Sequence, residues 1–326
     1  MTILADRLKE LIAADGPIGV DDFMWVANSH YYATRDPLGA AGDFVTAPEI
    51  HQMFGEMVGA ALADAWVRAG RPDEAIYAEL GPGRGTLADD ALRVLRRAGF
   101  AGQVHLIETS PGLRRAQAQL IPDAVFHDAP TTLPDAPLLL VANEFFDALP
   151  VKQWIGGTER RVTNNGDRLA FTAHGPIVET SPVRCEVVAG LARQLTAHGG
   201  AAIIIDYGFA GGETGDTLQA VRAHRHADPL DFPGEQDLTT HVDFAALAEA
   251  GRKGGARVSR IASQGTWLET LGIGARAMAL AAKNPADTES IAAARRRLCD
   301  EEQMGRLFKV MAMVGGSWPD MAGLES

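Results

Sequence analysis

The residues best placed to do chemistry are Glu79-Leu80-Gly81-Pro82-Gly83-Arg84-Gly85-Thr86. They follow the apolar run Ala75-Ile76-Tyr77-Ala78 and precede a helix-like stretch over 87–98. Strand, glycine turn and helix in that order suit a bound ligand. Glycines let it approach the backbone, and the helix start offers unpaired N–H groups. The spacing decides between ligands. A dinucleotide fingerprint, G-x-G-x-x-G, would need its third glycine at position 86, where Thr86 stands. The G-K-[ST] of a phosphate-binding loop is absent. What remains is E-x-G-x-G-x-G.

That pattern is the first motif of class I methyltransferases that use S-adenosylmethionine (SAM). It makes Glu79, Gly81, Pro82, Gly83, Gly85 and Thr86 candidate cofactor-binding residues. Taken alone, it is equally a tight turn between strand and helix. A second signal lies downstream, where Gln103-Val104-His105-Leu106-Ile107 reads as a strand ended by Glu108. In nucleoside-binding doubly wound folds a carboxylate roughly 20 residues beyond the glycines takes the ribose hydroxyls. Glu108 lies somewhat further out, as a full helix over 87–98 requires. The bland alternative is a solvated Glu at a strand end. Thr109 follows Glu108 at the same site, and Asp128, after the third strand, is a candidate acceptor for the adenine amino group.

Asn143-Glu144-Phe145-Phe146-Asp147-Ala148-Leu149-Pro150 follows the fourth strand, whose end faces the cofactor's methyl group in this fold. Methyl transfer from a sulfonium is an in-line displacement, so the enzyme positions the nucleophile and handles charge. A guanidinium or amine acceptor needs carboxylates, and Glu144 and Asp147 supply two as candidate catalytic residues, with Asn143 beside the cofactor. The alternative for both is a helix cap or first-turn carboxylate. Asp43 and Thr46, in a loop before a helix, are candidates to lid the cofactor, whereas Glu49 reads as a complement to the helix dipole. Asp206 either holds a substrate cation or caps. Thr240 or His241 is a capping candidate for a helix that opens near Phe244.

These residues need a sheet to gather them. Strands are expected at 76–80, 104–107, 125–127, 138–142 and 201–205, and the runs 138–142 and 201–205 are apolar throughout, as strands buried on both faces are. Ligands of open α/β sheets bind beyond the carboxyl ends of the strands. Glu79/Gly81, Glu108, Asn143/Glu144 and Asp206/Tyr207 all fall there, and this convergence is the strongest physical argument for a site. Residues 1–70 read as a helical region with a lid loop over 35–46, and one helix is expected from Pro48 to about Gly70. Residues 71–326 read as the catalytic domain. It carries a β insertion at about 151–181, signalled by Asn164-Asn165-Gly166, and a helical insertion at 266–300 suited to dimerisation or substrate docking. The tail at 306–314 reads as a closing strand.

Composition bounds the rest. Hydrophobic content of 46% supports a sizeable core, and a net charge of −12 without a basic tract makes nucleic acid and anionic membrane poor partners. A basic peptide or protein fits better. Cys185 and Cys299 form no metal or disulfide pattern, the histidines have no metal-like spacing, and no apolar run is long enough to span a membrane. The amphipathic stretch 1–14 is neither a signal peptide nor a typical transit peptide, and little room precedes the domain for a presequence. A reducing, bacterial-type cytoplasm is the expected compartment.

The motifs together resemble the MidA-like family of SAM-dependent methyltransferases. The resemblance rests on Gly42-Asp43-Phe44 with Pro48-Glu49 and Phe54-Gly55, the stretch from Glu79 to Thr86, Glu108-Thr109-Ser110-Pro111, and Asn143 to Pro150. It continues through Asp206-Tyr207-Gly208, His241-Val242-Asp243-Phe244, Gln264-Gly265 and Met304 to Val310. It implies a class I, Rossmann-like α/β fold with N-terminal helices, a β-hairpin insertion and a helical insertion. The family includes a mitochondrial assembly factor that methylates an arginine on a core subunit of respiratory complex I. The resemblance therefore implies SAM as cofactor and an arginine of a respiratory-chain or other protein as acceptor. Arginine methyltransferases often place a Thr-His pair near their substrate, which makes His241 a catalytic candidate beside its capping reading. One departure is His51, where a small residue is expected. A small-molecule N- or O-methyltransferase and a non-catalytic SAM-binding assembly factor remain the competing readings.

Overall fold

The computed structural model describes residues 3–34, 46–166, 168–213, 215–222 and 225–325. The chain opens with α1 (Ile3–Asp15), the short strand β1 (Ile18–Gly19) and α2 (Val20–Thr34). The helix expected from Pro48 is two, α3 (Ala47–Ile50) and α4 (Met53–Arg68). His51 interrupts it in extended backbone, and its Nδ1 accepts the Met53 N–H at 3.1 Å, starting α4 afresh. Of the loop expected over 35–46, only Thr46 is described, and Asp43 lies outside the described residues.

Alternation then sets in: β2 (Ile76–Leu80), α5 (Thr86–Arg97), β3 (Val104–Ile107), α6 (Pro111–Leu120), β4 (Val125–His127) and β5 (Leu138–Asn143). Four antiparallel strands follow, β6 (Lys152–Ile155), β7 (Thr158–Asn165), β8 (Arg168–Phe171) and β9 (Val178–Thr180). The β7–β8 hairpin closes with Asn165 opposite Arg168, at the Asn-Asn-Gly turn the sequence marks. Next come α7 (Pro182–His198), the long β10 (Gly200–Phe209) and a small sheet of β11 (Gln219–Arg222), β12 (Arg225–Ala227) and β13 (Asp237–Thr239). No sequence signal announced that sheet.

After the two-residue β14 (Val242–Asp243), α8 (Phe244–Lys253) is capped by Asp243, whose Oδ1 accepts the Ala245 and Ala246 N–H groups. Neither Thr240 nor His241 is the cap. The remaining elements are β15 (Arg257–Val258), β16 (Ala262–Ser263), α9 (Gln264–Thr270), α10 (Ile273–Lys283), α11 (Thr288–Cys299) and β17 (Phe308–Gly315). Among the described residues no helix is long and apolar enough to cross a membrane.

The main sheet runs β4-β3-β2-β5-β10-β17-β15, parallel as far as β10 and with β17 antiparallel beside it. Renumbered within the sheet this is 3-2-1-4-5-7-6, a doubly wound order that reverses between β2 and β5. Alternate residues of the strands serve two cores. Tyr77, Leu139, Val141, Ile203 and Val310 pack with α4, α5 and α9 to α11 on one face. Ile76, Ala78, Leu140, Ile204 and Met311 pack with α7 and α8 on the other. A third core joins Leu8, Phe23 and Met24 of the first helices to Val151, Val162 and Leu238 of the inserted strands.

Helices α4 and α5 meet where Gly59 leaves room for backbone, since a Cβ there would lie 2.6 Å from Ala91 Cα. Gly59→Val is therefore expected to lower stability by about 1–3 kcal/mol, read as a lower urea midpoint. Gly112→Ala, with nothing nearer than 3.7 Å to the new Cβ, should not lower it. Equal midpoints for both variants and the parent would show that α4 and α5 have slack at this crossing.

Candidate active site

The carboxyl ends of β2, β3, β5 and β10 open onto one cavity of about 640 Å³, the place where an open α/β sheet binds its ligand. Its lining includes Thr46, Glu79, Gly81, Pro82, Gly83, Thr86, Glu108, Thr109, Asp128, Asn143, Glu144 and Asp147. Sequence candidates spread over a hundred residues thus share one space. Two do not line it. Gly85 caps α5 with its backbone, and His241 stands behind the wall, its ring edge-on to Tyr207 at 5.5 Å between centroids. The His241 N–H donates to Thr217 Oγ1 at 3.0 Å and its carbonyl accepts from Arg184, so its backbone is structural.

The glycine turn is built as its composition demands. Gly81, Gly83 and Gly85 hold φ of +60°, +56° and +88°, which side chains resist. The Gly85 N–H closes the turn on the Pro82 carbonyl at 2.8 Å. Thr86 donates to Glu49 Oε1 at 2.7 Å, so Glu49 ties α3 to the start of α5 and does more than complement a dipole. Glu79 is buried below the turn, where desolvation pushes its carboxyl up to about 7 against the opposing hydrogen bond from Tyr77 Oη at 2.5 Å.

Glu108 turns back into the cavity wall. Its Oε1 accepts the Ser110 N–H at 2.7 Å, its Oε2 accepts Gln117 Nε2 at 3.5 Å, and burial raises its carboxyl above the usual range. The same Gln117 amide donates to the Gly83 carbonyl at 2.6 Å, locking the glycine turn to the carboxylate. Asp128 pairs with Arg114 at 2.7 Å at the cavity rim.

The other half of the cavity is acidic. Glu144 sits at φ +49°, a left-handed backbone that non-glycine residues rarely adopt. Its Oε1 accepts the Ala47 N–H at 3.1 Å and Asn143 Nδ2 at 3.2 Å. Burial, then the nearby Asp147 charge, pushes Glu144 up to about 7. Asp147 accepts its neighbour's N–H from Ala148 at 2.8 Å and is raised by burial, with Tyr207 and Arg184 opposing.

Asp206 does not reach the cavity. It is fully buried and accepts the N–H groups of Phe146, Asp147 and Tyr207 at 2.9, 3.2 and 2.9 Å, so it holds the loop and no substrate cation. Opposite it, buried Arg184 of α7 donates to the carbonyls of Asp147, Leu149 and His241 and to Thr240 Oγ1.

Several lining residues escaped sequence reasoning. Trp25, Asn28, Ser29 and Tyr32 of α2 form a wall, and their spacing of three, four and seven is the signal that could have found them. Asn28 fixes that wall by donating to the Ala148 and Leu238 carbonyls at 3.0 and 2.8 Å and accepting the Leu238 N–H at 3.0 Å. Asp237 completes it together with Tyr207, a strand end the sequence had already placed at the site. His51 does not line the cavity, so the departure there acts on the α3–α4 break. Among the described residues no group of three or more potential metal ligands gathers.

The cavity fits SAM on two observations. The positive-φ glycines Gly81 and Gly83 bring bare backbone to its lining, and Glu108, a carboxylate at the end of β3, lines it beside them. Comparison with known proteins agrees. Residues 57–173 and 157–262 match a family model described as "Putative S-adenosyl-L-methionine-dependent methyltransferase".

The chain is 34% identical to the mitochondrial "Protein arginine methyltransferase NDUFAF7 homolog" of Drosophila melanogaster, over 96% of this chain and 85% of that one. It is 30% identical to mitochondrial NDUFAF7 of Homo sapiens, over 96% and 84%. A Burkholderia thailandensis methyltransferase-type protein solved with S-adenosylhomocysteine superposes with a TM-score of 0.81 at 26% identity, covering 98% of this chain and 94% of that one. The expected bacterial-type cytoplasm is overturned by the curated relatives, which are mitochondrial proteins. Fold, cofactor cradle and end-to-end similarity converge, and the chain belongs to this family of SAM-dependent methyltransferases.

Proposed function

We propose that the enzyme methylates a guanidinium nitrogen of an arginine in a protein, of the kind found on respiratory complex I-type subunits. The names of the curated relatives support the arginine acceptor. The observation that carries the reading is the pair of carboxylates, half-buried Glu144 and buried Asp147, in the same cavity as the glycine turn.

Bound SAM supplies a methyl group on a positively charged sulfur. Glu108 and the turn from Glu79 to Thr86 hold its nucleoside and amino-acid ends. Glu144, fixed by the Ala47 N–H and the Asn143 amide, accepts a hydrogen bond from the guanidinium and orients one nitrogen for in-line attack. Glu144 would take the proton that this nitrogen must lose when it is methylated. Asp147 holds the residual positive charge of the acceptor.

Two outcomes follow. By calorimetry the protein should bind SAM and not NADH, and Glu144→Gln should keep the SAM affinity. The same variant should lose methyl transfer by about 10²–10⁴-fold, assayed as labelled methylarginine in purified complex I-type subunits. Equal transfer by the variant would remove Glu144 from the reaction, and loss of SAM binding would make its role structural. The second outcome concerns pH. A carboxylate base works only when ionised, and the Glu144 carboxyl is pushed up to about 7. So kcat/KM should rise about tenfold per pH unit below that value and level off above it. A flat profile between pH 5.5 and 8 would show that no group of this kind governs the free enzyme.

A further inference from the structure

The cavity extends past Glu144 and Asp147 to a third carboxylate, Asp237, which the preceding mechanism does not use. Asp237 begins β13 in the small sheet that follows β10, and it is only 6% exposed. Its Oδ1 accepts the Tyr32 hydroxyl at 3.0 Å, which ties the sheet to α2 across the cavity wall. Tyr32 and Tyr207 both line the space, and both phenols are pushed up by burial and by the charges of Asp147 and Asp237. The two aspartates therefore act on one small region between two aromatic rings.

A cluster of carboxylates alone is no binding site. Here a separate observation points to a ligand. Asn143 is 7% exposed, lines the same cavity, and has no partner for its Oδ1. Its orientation is set from the other side, because Nδ2 donates to Glu144 Oε1, a carboxylate oxygen that can only accept when ionised. The amide oxygen is thus left as an open acceptor. An unpaired buried carbonyl is unfavourable, so the wall is suited to meet a donor. Asn143 Oδ1, Glu144, Asp147 and Asp237 all present acceptors to one space whose sides are Tyr32, Tyr207 and Trp25. A planar cation with several N–H donors answers that demand better than an ammonium, whose three donors are not held in a plane.

We propose that Asp237, held by Tyr32, is a specificity-determining contact for the far edge of the acceptor's guanidinium, and that Asn143 Oδ1 accepts another of its N–H groups. This rests on the arginine reading above and extends it. Glu144 presents the reacting nitrogen, while Asp237 selects arginine over lysine.

The test uses the full chain loaded with S-adenosylhomocysteine and titrated with N-acetyl-arginine N-methylamide or its lysine counterpart. The parent should bind the arginine compound more tightly than the lysine one. Asp237→Asn should weaken the arginine compound by about tenfold or more and erase the preference, while S-adenosylhomocysteine affinity stays as in the parent. Tyr32→Phe, which keeps the ring, should weaken it by a smaller factor. A purely structural role for Asp237 would lower S-adenosylhomocysteine affinity as well, and that result overturns the proposal. Unchanged arginine affinity in Asp237→Asn, with loss in Glu144→Gln, also overturns it and leaves the arginine reading standing. Failure of the parent to prefer the arginine compound removes both.

Discussion

The active-site half of this fold hangs on one buried carboxylate. Asp206 is wholly out of solvent, and such a charge is tolerated only when hydrogen bonds satisfy it. Three backbone N–H groups do so, those of Phe146, Asp147 and Tyr207. Because Asp206 stands on the central strand β10 beside β5, these bonds draw the segment after β5 across the top of the sheet. From the opposite side Arg184 grips the carbonyls of Asp147 and Leu149. The loop is thus held by its backbone at both polar ends, and the side chains of Glu144 and Asp147 remain available to the cavity. Breaking a buried arrangement of this kind by removing one partner leaves the other uncompensated, so Asp206 and Arg184 together fix where the loop carries Glu144 and Asp147.

The sheet supplies the cofactor side of the cavity, but the acceptor side is made by what lies outside it. Helix α2 comes from the N-terminus, β13 from the small sheet after β10, and Asn28 bonds to both β13 and the loop after β5. That triple attachment explains why the third core joins the first helices to the inserted strands. On the far face, Glu56 does for the helical layer what Asp206 does for the loop. Its buried carboxylate receives Arg93 of α5 and Arg276 of α10 at 2.7–2.8 Å, which fastens the C-terminal helices to α4 and α5.

What was legible in the sequence is what depends on near neighbours. Apolar runs gave β2, β3, β5 and β10, the Asn-Asn-Gly turn gave the β7–β8 hairpin, and the glycine pattern gave the turn before α5. Glu108, Glu144 and Asp147 were found because they end strands or follow them closely, and a parallel sheet must gather such positions. What stayed hidden depends on distant partners. Nothing local distinguishes Asp206 as a loop anchor, since the loop groups it holds, the Phe146 and Asp147 N–H, lie about sixty positions away. Tyr32 and Asp237 meet across 205 residues. The break at His51 turned on one ring nitrogen accepting a backbone N–H, against a helical periodicity that ran straight through it. His241 failed in the other direction: its neighbourhood in sequence is suggestive, but β14 pairs with β10 and leaves its ring behind Tyr207.

The backbone at Glu144 is left-handed, at φ +49°. A left-handed conformation at a non-glycine residue costs of order 1–3 kcal/mol and persists only where its surroundings over-determine it. Here they do: the Glu144 N–H is bound to the Ile205 carbonyl at 2.9 Å, and Asp206 takes the N–H groups two and three residues on. A glycine would meet the same backbone demands without that cost, so the position is not explained by the turn. On the proposed function it is explained by the carboxylate. The tight turn re-aims the side chain from the sheet layer into the cavity, where burial lifts its carboxyl to about 7 and leaves it able to exchange a proton near neutrality. Glu79, also near 7 through burial, shows the contrast. It lines the same cavity from regular strand backbone with its carboxyl held by Tyr77, whereas at Glu144 a strained backbone aims the carboxylate.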